Sequence, residues 1–167
     1  MEGRTLAKRP GRGRAEVPVA TEQILLFRIG VGIYGVEIHG LWEVLSSEGV
    51  TGLPTPAYQI CSALAYRGRT LPLVRLSELF GVSTDRVSPT ARVLLTQAHG
   101  RALGLLVDEV FGVVEIEPRR IARMPAQATL LNPDMFRGLC SRGAEVVILI
   151  NVDGLGSIPE VATFSTE

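Results

Sequence analysis

Residues 24–38 read ILLFRIGVGIYGVEI, and residues 91–107 read ARVLLTQAHGRALGLLV. Each is a pair of short apolar runs parted by a glycine-bearing break, Gly30-Val31-Gly32 in the first and His99-Gly100 in the second. Both read as a strand, a tight turn and a second strand. A shift of 69 residues lays Leu25 on Leu94, Leu26 on Leu95 and Gly35 on Gly104. It also carries Ile38, Leu41 and Val44 onto Val107, Val110 and Val113. The shared pattern predicts two similar halves of about five strands each, which suits two small closed β-barrels. Glycines inside strands, Gly35 and Gly104, suit the sharp corners such barrels need.

Further strands are expected at EGVTGL (48–53), SALAY (62–66), RTLPLV (69–74), EVFGVVEI (109–116), FRGLCSR (136–142) and EVVILINV (145–152). Helical signal is sparse. SELFG (77–81) reads as one helical turn stopped by Gly81. HGLWEVLS (39–46) reads as a short helix or a bent strand, and NPDMF (132–136) opens with a turn signal. The fold expected is mainly β. A disordered basic tail covers 1–22, a folded domain 23–155, and a C-terminal tail 156–167. The barrel halves are roughly 23–88 and 89–155, joined by the polar stretch STDRVSPT (83–90).

The chain has 167 residues, 46% of them hydrophobic, enough for one ordinary core or two small fused ones. Seventeen basic and seventeen acidic residues balance, which removes the simplest argument for nucleic acid or a membrane surface as partner. The balance is uneven: Arg4, Lys8, Arg9, Arg12 and Arg14 stand against Glu2 and Glu16 in the first twenty residues. Cys61 and Cys140 form no CxxC pair and read as reduced core thiols. The polar, proline- and glycine-broken N-terminus has no secretory core, and the longest apolar runs, LGLLV and VVILI, are far too short to span a bilayer. A soluble, cytoplasmic protein is expected.

Gly30, Gly32 and Gly35 spell GxGxxG, but a dinucleotide site needs a helix next, and VEI is a strand. His39 and His99, the two histidines, show no nucleophile beside them. Asp108 and Glu109 are adjacent, so in a strand they point to opposite faces and do not share a proton. No catalytic residue, cofactor or metal is therefore expected, and what remains is surface for binding proteins. In YRGRTLPLV (66–74), Gly68 supplies a turn, and Arg67 and Arg69 share a face if the strand is regular. Pro72 cannot donate to a ladder, which places this strand at an edge or a bend. Arg67 is either an interface residue or half of an internal ion pair, with Glu43 or Asp108 as the acid.

The order and spacing of four segments resemble the CheW-like coupling proteins of bacterial chemosensory arrays. They are LLFRIGVGIYGVEIHGLWEVL, VTGLPTPAYQICSALAYRGRTLPLVRLSELFG, RVLLTQAHGRALGLLVDEVFGVVEIEP and FRGLCSRGAEVVILINVDGL. The most specific parts are Leu53-Pro54 with its Pro-x-Tyr turn, Arg67-Gly68 before Leu71-Pro72, and Val107-Asp108-x-Val110. The resemblance implies two five-stranded SH3-like barrels and no enzymatic activity. It implies two partners: the regulatory domain of a CheA-type histidine kinase and the cytoplasmic tips of methyl-accepting chemoreceptors. Such an adaptor works in receptor arrays at the inner face of the membrane, which it reaches only through the receptors, and it takes no nucleic acid. A divergent paralogue would serve instead as scaffold in a pathway controlling pili, gliding or development. Carried over position by position, the resemblance implies protein-binding roles for Leu41, Glu43, Val44, Arg67, Val110 and Val113. Three positions depart from the family's usual residues: Ser62 for glycine, Ala65 for asparagine, and Arg75 for aspartate.

Overall fold

The structure is a computed structural model that describes residues 20–46, 60–82, 87–125 and 131–164. The tail expected over 1–19, the strand expected over 48–53, the Leu53-Pro54 and Pro-x-Tyr elements, and the first half of the 83–90 linker lie outside them.

Ten strands are described: β1 (Glu22–Ile29), β2 (Gly32–Glu37), β3 (Glu43–Ser46), β4 (Cys61–Tyr66), β5 (Arg69–Arg75), β6 (Arg92–Ala98), β7 (Arg101–Val107), β8 (Glu109–Ile116), β9 (Phe136–Arg142) and β10 (Glu145–Ile150). They form two five-stranded sheets, in the orders β8-β1-β2-β10-β9 and β3-β6-β7-β5-β4. The two orders coincide once β1–β5 are matched to β6–β10, so the repeat read from the shift of 69 is real in topology. The halves 23–88 and 89–155 are not the sheets, however. Each sheet takes its central hairpin from one repeat and its other three strands from the other. The cause is visible after β2, where the chain makes a 3-10 turn at Ile38–Gly40 and crosses to the second sheet. Thr96 Oγ1, buried, donates to the Gly40 carbonyl (2.9 Å), and the Trp42 amide donates to the Leu95 carbonyl (2.7 Å), fastening β3 beside β6.

Alternate residues of the central strands enter different cores. In β1, Ile24 and Leu26 join a cluster with Val147 and Leu149 inside the first sheet, while Leu25, Phe27 and Ile29 face a cluster between the sheets. In β6, Val93 and Leu95 enter the second sheet's own cluster, and Leu94 and Ala98 the shared one. These strands are buried on both faces, so they read as continuous apolar runs rather than alternating ones. An aromatic ladder crosses the shared core from Phe27 to Tyr34 (6.1 Å), Phe80 (5.1 Å) and Phe136 (5.8 Å between centroids). Gly35 and Gly104 occupy equivalent places: a Cβ at Gly35 would lie 2.5 Å from Ile24 Cγ2, and one at Gly104 3.0–3.2 Å from Val93, Leu64 and Leu73. The first sheet also curls, because Ala122, beyond β8, pairs with Leu139 of β9 at the opposite edge. Arg137 of β9 likewise reaches Glu22 of β1 and Glu37 of β2. That pairing holds the Glu22 carboxyl below its usual range and pushes Arg137 up.

Two further expectations change. The segment from 156 on is not a loose tail: helices Val152–Gly156 and Pro159–Ala162 bury Leu155 and Val161, and Arg101 donates to the Ala162 and Phe164 carbonyls. Glu22, placed in the N-terminal tail by its sequence, begins β1. Pro72 sits in a strand with neighbours on both sides, but pairing of β5 with β7 runs only from Leu73 to Arg75, so no rung to β7 is lost at the proline.

Arg75 gains an explanation. It is the N-cap of the helix Leu76–Leu79, in extended geometry, and its side chain makes no capping bond. An aspartate here would accept from the first-turn amides, whereas a cation meets the positive end of the peptide dipoles. Arg75→Asp is expected to raise stability by about 1 kcal/mol, read as a higher midpoint in urea with an unchanged slope. An unchanged midpoint would remove the capping account.

Candidate functional site: two exposed sheet edges

β3 and β8 are equivalent under the repeat, and among the described residues each is an edge strand, pairing only with β6 and β1 respectively. All six residues singled out by the resemblance lie on or beside these edges. Leu41 precedes β3 and Val110 lies in β8. Both are half-buried against the core between the sheets. Val44 of β3 and Val113 of β8 are outward, 41% and 46% exposed.

Glu43 and Arg67 are brought together. The Tyr66 hydroxyl donates to Glu43 Oε1 (2.6 Å), and Arg67 Nη2 lies 3.5 Å from the same oxygen. The guanidinium stands over the Tyr66 ring, 5.1 Å from its centroid. Donation to the carboxylate pushes the Tyr66 phenol up. Of the two acids open for Arg67, Glu43 is the one it meets, while Asp108 accepts from the Gly30 amide (2.7 Å) and lies 3.7 Å from Arg28. Arg67 does not share a strand face with Arg69. It stands in the two-residue β4–β5 turn at φ 48°, followed by Gly68 at 76°. Both positions of this type I′ turn favour glycine or asparagine, so an arginine here carries a backbone cost. The Arg67 side chain is 74% exposed, and an ion pair so exposed adds little stability. What the cluster does is hold one cation and one anion in fixed relation at the sheet edge.

No described contact joins the β3 group to the β8 group directly. The structure adds residues that the sequence reading passed over: Tyr66 as the centre of the charge cluster, and the outward aromatics Trp42 (52% exposed) and Phe111 (50%). The shift of 69 that pairs Leu41 with Val110 and Val44 with Val113 also pairs Trp42 with Phe111. Each edge thus presents an aromatic and a valine two residues apart on one face.

Among the described residues, no group of three His, Cys, Asp or Glu side chains could hold a metal ion, and no helix is long and apolar enough to cross a membrane. Cys61 and Cys140 are free and buried, and burial pushes the Cys61 thiol up. The Asp108-Glu109 pair serves the framework, through Gly30 and Arg28.

The family model described as the CheW-like domain matches residues 23–159. A probable chemotaxis protein CheW from Rhizobium etli is 28% identical over 141 residues, 83% of this chain and 89% of that one. Protein PilI of Pseudomonas aeruginosa is 31% identical over 87 residues, 52% of this chain and 49% of its own length. Among solved structures, the scaffolding protein TtCheW from Thermoanaerobacter tengcongensis superposes with a TM-score of 0.72 at 25% identity, over 84% of this chain and 95% of that one.

Proposed function

The chain belongs to the CheW-like domain family, and on that premise we propose that it is a non-enzymatic adaptor coupling chemoreceptors to a CheA-type histidine kinase. The observation that carries this reading is the extent of the match, which spans both sheets and the helix Val152–Gly156. The chemotaxis reading is favoured over one tied to pili because the Rhizobium relative aligns over 83% of the chain and PilI over 52%. The adaptor works in the cytoplasm and reaches the membrane through the receptors.

The two edges supply the means. An amphipathic receptor segment sets its apolar face against Val113 and Val44, with Leu41 and Val110 behind them. Arg67 and Glu43 flank this surface with opposite charges, which fix orientation and reject mismatched partners more than they add affinity. The regulatory domain of the kinase engages the ends of the sheets.

The variants that separate binding from folding are Val44→Asp and Val113→Asp, since both side chains already face water. Leu41→Asp would confound the two, because Leu41 also packs on the shared core. By calorimetric titration against kinase regulatory domain and soluble receptor tips, at least one variant is expected to bind one partner about 30-fold more weakly, the equivalent of about 2 kcal/mol. Its thermal midpoint should stay put. Unchanged affinity for both partners, with both variants folded, would refute the placement of the interface.

A further inference from the structure

The outward face of β8 carries Phe111, Val113 and Glu115, all exposed, and nothing described pairs with its outer edge. The stretch Asp108–Glu117 holds Asp108, Glu109, Glu115 and Glu117 and no lysine or arginine. Arg28 meets Asp108 and Glu109, and Arg119 meets Glu117. Glu115 meets no cation among the described residues. Its partner is the Thr21 hydroxyl, at 2.7 Å. Thr21 is also where the N-terminal chain leaves the sheet, because the β1–β8 register begins at Glu22 opposite Ile116. The nineteen residues before Ala20 therefore depart from beside Glu115. They carry five cations against two anions.

We infer that this basic arm, residues 1–19, is a ligand for the β8 edge of its own chain. The arm turns back near Pro18, whose fixed φ suits a reversal, and lies over Phe111 and Val113. Its cations meet Glu115, the acid of β8 that no described cation holds, and Val17, Val19 and Leu6 supply apolar contact. Reach is ample: β8 is about 27 Å long, and nineteen extended residues span about 60 Å. Charge selects β8 over the equivalent β3 edge. There the apolar pair Trp42 and Val44 recurs, but the one acid among the described residues of that edge, Glu43, is already met by Tyr66 and Arg67. Since the arm covers Val113, a partner would have to displace it, and that consequence alone rests on the adaptor reading.

The test uses the full chain with Gly11→Cys carrying a nitroxide, which the buried Cys61 and Cys140 leave as the accessible thiol. Amide resonances of β8 are expected to broaden strongly while those of β3 keep their intensity. The broadening should fade in about 0.5 M salt, where the screening length shrinks to about 4 Å, and in the Glu115→Lys variant. Equal broadening of both edges, or none, overturns the inference. So does broadening of β8 in isotope-labelled chain mixed with separately spin-labelled chain, which would make a second copy the source of the arm. No kinase or receptor is present, so a negative result leaves the adaptor reading standing.

Discussion

Cut between residues 88 and 89, the chain is expected to give two pieces that fold together and not apart. The first piece holds β1–β5. Its hairpin β1–β2 would lack β8, β10 and β9, and its strands β3 and β5 would lack β6 and β7. The second piece is deprived in the same way. Each would leave the residues of the core between the sheets facing water, since that cluster draws Leu25, Phe27 and Val74 from one piece and Leu94, Leu103 and Leu105 from the other. The loss is the whole folding free energy, on the order of 5–15 kcal/mol for a domain of this kind. Circular dichroism through a denaturant titration should show a cooperative transition for the equimolar mixture and none for either piece. A cooperative transition in one piece alone would contradict the exchanged topology.

Phe27→Ala is expected to be the most damaging single truncation. The ring is fully buried and begins the ladder through Tyr34, Phe80 and Phe136. The β1 backbone on which it sits is pinned between β8 and β2, which limits collapse into the void. A loss of about 3–5 kcal/mol follows, near 10 °C in thermal midpoint for a chain of this length. Val31→Ala, at a turn tip in full solvent, should change stability by less than about 0.5 kcal/mol. Because the void opens between the sheets, both should melt in one step. Separate transitions for the two sheets would show that the shared core does not couple them.

The strands were legible because their signals are local. Apolar runs, glycine turns and a single repeat offset mark β6 and β7 to within a residue, and β8 and β9 at their observed limits. The exchange between the sheets left no such mark, since pairing of β2 with β10 depends on residues far apart in the chain. The C-terminal helices were missed for a different reason: they are four and five residues long, too short to show a helical period. The six positions carried over by the resemblance fall on or beside two equivalent strands, and the residues themselves left Glu43 open as a partner for Arg67, which it meets. Tyr66 escaped because its role appears only when the β4–β5 turn swings Arg67 over its ring. Arg75 stood out only as an arginine where the resemblance expects aspartate, whereas its position is that of a helix N-cap without a capping side chain.

The parallel rung between Ile33 and Val147 spans 114 positions of chain. At the usual pace of about 5–20 residues per second, the first hairpin is synthesised roughly 6 to 23 seconds before its neighbour β10. The β1 side finds β8 once Ile116 has been made, but the β2 side stays open through the whole interval. The price of the exchanged architecture thus falls on the nascent chain, whose first hairpin keeps its β2 edge unpaired and aggregation-prone until β10 is synthesised.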